Sequence, residues 1–248
     1  MLPDSLSRLD YGAKSHRVRD LLEENYGRPE AAAGGREPID ALVRAIIGQN
    51  TSHPNQERAL ARLHARFPDW ELLAAAPLAD VVACLHPAGL ANQKAPRLQA
   101  LIAQILDERG SLDLRFLATM EVGEAQAWLR ALPGVGPLTA ALVLLFALRR
   151  PALPVNTGLH RLAGRLGLLP PGVGPERASE LLHSALTPAP GEAPSFEEVY
   201  AFHINMVRHA DRVCRPGRPR CGECVLAHVC EFVHGGRVDR GQRERDGG

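Results

Sequence analysis

Lysine is almost missing from this chain: Lys14 and Lys94 are the only two, leaving 27 of the 29 basic residues as arginine. A guanidinium cannot form a Schiff base, so any amine nucleophile must come from those two side chains or the N-terminus. A GC-rich genome, to which the many Ala, Gly and Pro residues also point, would produce the same skew. No apolar run approaches the about 20 residues of a membrane span. The opening MLPDSLSRLDYG has no basic stretch leading into an apolar one, as a secretory signal would. These absences predict a soluble protein of a reducing compartment, the cytoplasm, where disulfides are scarce. Net charge is only +1, which gives no global signature of nucleic-acid binding.

What is present is helical. With 45% of its 248 residues hydrophobic, the chain can build a substantial core in one or two domains. Residues 5–26 read as a helix carrying Leu6, Leu9, Val18, Leu21 and Leu22, and GRPEAAAGGREP (27–38) as a linker. Apolar stripes at helical spacing follow: Ile39, Leu42, Val43 and Ile46; Leu60, Leu63 and Phe67; Leu98, Leu101, Ile102 and Ile105. TAALVLLFAL (139–148) is apolar on every side, as expected of a central helix. No segment alternates with period two, so the fold is predicted to be all-α. The Gly- and charge-rich tail, 235–248, is expected to be disordered.

Four of the five cysteines crowd into Cys214-x6-Cys221-x2-Cys224-x5-Cys230. So many thiols in so short a stretch point to one inorganic centre with four sulfur ligands. Zinc ribbons usually pair two C-x2-C knuckles across a longer insert, whereas here one knuckle has two unequal arms. The spacing favours an iron–sulfur cubane over zinc, and both over disulfides. Cys84, in VVACL, reads as a small core residue.

Residues 125–148 read helix, then Leu132-Pro133-Gly134-Val135-Gly136-Pro137, then helix. Glycines two apart permit a tight hairpin whose amides, beside a helix start, form an anion site suited to a DNA phosphate. An ordinary interhelical turn is the plainer alternative. A second PGVG, at 171–174, runs into ERASE rather than an apolar helix and reads as a plain loop.

LPGVG (132–136), the cysteine quartet, IIGQNTS (46–52) and AGLANQKA (88–95) together resemble the endonuclease III family. These are helix–hairpin–helix base-excision DNA glycosylases with a [4Fe-4S] cluster loop. The resemblance covers about Ile39 to Phe232. It implies a central helical barrel over 39–150 and a cluster domain from 1–26 plus 151–234, with double-stranded DNA across the cleft between them. An extruded base leaves a gap in the duplex, which Gln49 and Leu90 would fill. Gly134, Val135, Gly136 and Lys94 would contact phosphates, as would Arg215, Arg218 and Arg220 on the first cluster arm. A monomer is expected.

The chain departs from the family at both catalytic positions. Leu138 stands where bifunctional members carry the lysine nucleophile, and Asn156, in Val155-Asn156-Thr157-Gly158, where they carry an aspartate. Leucine cannot form an imine, and a neutral amide lacks the charge that steadies an oxocarbenium-like transition state. Three readings follow: a glycosylase using water positioned by Asn156, a non-catalytic DNA-binding relative, or strand cleavage through Lys94 or the N-terminal amine. His160, Asp40 and His203 are candidate substitute acids or bases, each with a structural alternative.

Overall fold

The computed structural model describes residues 6–31, 36–189 and 192–235, and every regular element among them is helical. The helices are α1 (Leu6–Tyr26), α2 (Pro38–Gly48), α3 (His53–Arg66), α4 (Trp70–Ala74), α5 (Leu78–Leu85) and α6 (Ala91–Arg109). They continue with α7 (Val122–Arg130), α8 (Pro137–Phe146), α9 (Thr157–Leu166), α10 (Pro175–Ala185), α11 (Phe196–Arg212) and α12 (Glu231–His234). The chain divides into two compact units, Ala32–Arg150 and Met1–Ala31 with Pro151–Gly248. The tail expected to be disordered lies, apart from Gly235, outside the described residues, as does part of the linker.

In the first of these units α8 packs on α2 and α7, and α6 packs on α4 and α5. All three sequence stripes turn inward: Leu42, Val43, Ile46, Leu63, Leu98, Leu101, Ile102 and Ile105 are fully covered. Each such aliphatic side chain contributes about 1.5–3 kcal/mol by leaving water. α8 is buried through Ala140, Val143, Leu144 and Leu145, as its apolar composition predicts, but Leu138 in its first turn stays 38% exposed.

In the other unit α1 packs on α10 and α11, and α9 on α11 and α12. α11 opens with a reciprocal capping box, in which the Ser195 side chain accepts from the Glu198 N–H and Glu198 accepts from the Ser195 N–H. The second PGVG segment is more than a plain loop. Gly172 has φ +79° beside +78° at Gly134, and Gly174 caps α10 with Pro175 at its first turn, as Gly136 and Pro137 do for α8. The P-G-V-G-P string sets this backbone alone, and the polarity of the next helix does not enter.

Candidate nucleic-acid interface and cysteine cluster

The hairpin closes on a Val135 N–H to Leu132 carbonyl bond, and the φ of +78° at Gly134 is one that a residue with a Cβ adopts at a cost. Val135 is buried and anchors the turn. Gly136 has an ordinary φ of −94°, and a Cβ there would meet nothing within 4 Å. Its glycine is therefore not demanded by the fold, which leaves the approach to its amide open. Among the described residues, the N–H groups of Gly134, Gly136, Leu138 and Thr139 have no acceptor. They form a cluster of donors at a helix N-terminus.

Gln49, at the end of α2, points at this hairpin. Its Nε2 donates to the Gly134 carbonyl (3.0 Å) and the Thr139 hydroxyl (3.3 Å). Leu90 caps α6 in the left-handed region (φ 52°) and is 50% exposed, an unusual pairing of apolar side chain and strained backbone.

Lys94, expected to contact phosphate, instead faces inward and is 3% exposed. Its ammonium donates to the Ile47 carbonyl (2.8 Å), the Thr51 hydroxyl (2.5 Å) and the Ala88 carbonyl (3.0 Å). All three protons are thus used within the protein, and burial holds its pKa below the usual lysine range. Replacing it by methionine should strand those acceptors and cost about 2–4 kcal/mol. Thermal denaturation checks this, while affinity for undamaged duplex should be unchanged.

In the other unit Asn156 caps α9, its Oδ1 accepting from the Leu159 N–H at 2.8 Å. The substitute acids and bases are accounted for structurally. Asp40 accepts from the Trp70 indole, and His160 Nε2 lies 2.7 Å from the Val173 carbonyl. His203 is buried beside the Pro154 carbonyl, and burial pulls its pKa down to about 4.

The four C-terminal cysteines are free thiols lining one cavity with Leu162, Leu166, Val213 and Phe232. Among the described residues, no three His, Cys, Asp or Glu side chains gather tightly enough for a single metal ion. The contacts around the sulfurs were not legible in the spacing. Arg165 Nη1 lies 3.3 Å from Cys214 Sγ, and its guanidinium stacks on Phe232. Fully buried His209 places Nε2 3.3 Å from Cys224 Sγ and Nδ1 3.0 Å from the Tyr26 hydroxyl. Burial, with the neighbouring thiols adding to it, pushes the Cys224 thiol up to about 11. A histidine one turn before the first cysteine was the available signal. Arg215, Arg218 and Arg220 are exposed on the arm from Cys214 to Cys221, with Arg220 3.7 Å from Glu223. Cys84 is half-buried, its Sγ near the Arg62 carbonyl.

No helix among the described residues is long and apolar enough to cross a membrane. Endonuclease III of Thermotoga maritima is 29% identical over 197 residues, covering 79% of this chain and 84% of that protein. A provisionally named DNA glycosylase of Arabidopsis thaliana is 35% identical over 132 residues, 53% of this chain but only 45% of that protein. In fold, the chain matches a trapped endonuclease III–DNA covalent intermediate with a TM-score of 0.74 at 22% identity, covering 95% and 99% of the two chains. Residues 43–188, more than half of the chain, match the HhH-GPD superfamily. The chain belongs to that superfamily of base excision DNA repair proteins.

Proposed function

We propose that this protein is an endonuclease III-type DNA glycosylase that hydrolyses the N-glycosidic bond of damaged or mismatched bases, with little or no lyase activity. One observation carries the reading. The residue at the nucleophile's position is an exposed leucine, and Lys94, in the same unit, has its amine enclosed. With no amine presented there, water is the nucleophile. The hairpin amides anchor a phosphate without reading sequence. Gln49 and Leu90 occupy the gap left by the extruded base, Leu90 as the exposed apolar wedge.

Asn156 has a narrower role than its position suggests. Its carbonyl oxygen accepts from the Leu159 N–H, so one lone pair and the amide NH2 remain to hold a water, and neither is basic. This capping role also favours a second reading, a DNA-binding relative without chemistry. Single-turnover excision across a panel of damaged and mismatched duplexes separates the two: release of a base supports the first, and binding without release the second.

The four free thiols around one cavity, with the spacing of one knuckle and two unequal arms, suit a four-sulfur centre. Cys214, Cys221, Cys224 and Cys230 would hold a [4Fe-4S] cluster, which when bound supplies a structural cross-link and a redox-capable centre. Arg165 and His209 sit where they can donate to its cysteine sulfurs. Arg215, Arg218 and Arg220 project as a basic surface for phosphates.

Gly136 offers a clean test of the anchor, since a side chain there meets no protein atom. Gly136→Val should lower the melting temperature by a few degrees at most, through the poorer helix cap, and weaken binding to undamaged duplex by about tenfold, equally for every sequence. Unchanged affinity would remove the hairpin from the docking surface.

A further inference from the structure

If the chain hydrolyses a glycosidic bond with water, something must take the water's proton. Asn156 cannot: a neutral amide is not a base, whatever hydrogen bonds it makes. The position two residues on is Gly158. A Cβ built there would lie 3.4 Å from Asn156 Oδ1 and 3.7 Å from Asp211 Oδ1, so both side chains border the same point beside the start of α9. Asp211 stands in the last turn of α11 next to Ala210, whose Cβ lies 3.4 Å from that point.

Nothing structural accounts for Asp211. A carboxylate in the last turn of a helix opposes the helix's own dipole. Among the described residues its oxygens have no hydrogen-bond or ion-pair partner, although the Arg215 side chain binds its backbone carbonyl. It is exposed, so solvent reaches it.

We infer that Asp211 is the general base of this glycosylase, supplying from α11 the carboxylate that Asn156 does not. The inference rests on the hydrolytic reading above. A water at that point would rest one O–H on the Asn156 carbonyl oxygen and pass its other proton to the Asp211 carboxylate, which frees the water oxygen to attack. As that oxygen bonds to C1′ of the extruded nucleotide, the C1′–N bond breaks and its electron pair leaves with the base. The base nitrogen is then protonated from solvent. The negative charge of Asp211 would also steady the developing oxocarbenium.

The test uses the full chain, loaded with iron and sulfide, on duplexes carrying uracil opposite guanine or thymine glycol. Single-turnover excision is measured beside affinity for a duplex with a tetrahydrofuran abasic-site analogue. Asp211→Asn should lose about 100-fold or more in excision rate, with unchanged affinity and melting temperature. Asn156→Asp in the Asp211→Asn background should recover most of that rate, because the carboxylate returns to the other side of the same point. Excision by Asp211→Asn near the unmodified rate would overturn the inference and leave the glycosylase reading standing. So would a loss matched by falling affinity or melting temperature, which marks a structural role. If the unmodified protein binds these duplexes but excises neither base, the hydrolytic reading fails for them, and the assignment of Asp211 with it.

Discussion

Replacing Leu138 by lysine and Asn156 by aspartate together should yield a protein that borohydride traps on abasic DNA about 100-fold more efficiently than the unmodified chain. The added amine can attack C1′ and form an imine, which borohydride reduces to a stable adduct; the carboxylate favours that attack. Leu138 is exposed at the head of α8, so a lysine there need not be buried to fit. The unmodified protein should trap little, because the Lys94 amine is enclosed by three acceptors and Lys14 is paired with Glu231. Efficient trapping by the unmodified protein, abolished by Lys94→Ala, would reverse this assignment and make Lys94 the catalyst. No trapping in the double variant would mark a site reshaped for recognition without chemistry.

Cys221→Ser should have the other large effect. A hydroxyl is a poor ligand for iron, and removing one of four sulfurs from a shared cavity should take bound iron from about four per chain to well below one. The cost should spread beyond the loop. Cys214 and Cys230 are held to Arg165 on α9, Cys224 to His209 on α11, and α12 packs on α9. Loss of the cross-link should lower the melting temperature by roughly 10 °C, taking a few kcal/mol in a domain of this size. Iron and acid-labile sulfide analysis with calorimetry checks both. Stoichiometric zinc in a colourless unmodified protein would displace the cluster proposal altogether.

The helical framework was legible because its signals are local. Ile39, Leu42, Val43 and Ile46 repeat at the helical period, and all four turn inward in α2. The cysteine quartet was legible in the same way, as a spacing within one stretch of chain. What the sequence hid depends on distant segments meeting. Lys94 looked like a turn lysine because nothing near it in sequence shows that Ile47 and Thr51 supply two of its acceptors. Asp211 carries no motif, and its interest appears only where α11 passes Gly158. The loop at 171–174 was misread for another reason: the polarity of the following helix was given weight, although the glycines and prolines had already set the turn.

The buried ammonium of Lys94 has one more consequence. Ile47 and Thr51 flank Gln49, Ala88 lies two residues before Leu90, and the Thr51 hydroxyl also donates to the Ala88 carbonyl at 2.6 Å. The two segments are thus mounted on a single hub and should shift as one rigid piece. Variation at 49, 51, 90 and 94 should therefore be epistatic rather than additive. A library that samples these four positions singly will underestimate what they tolerate in combination, and compensating changes should be sought among the four before anywhere else in the chain.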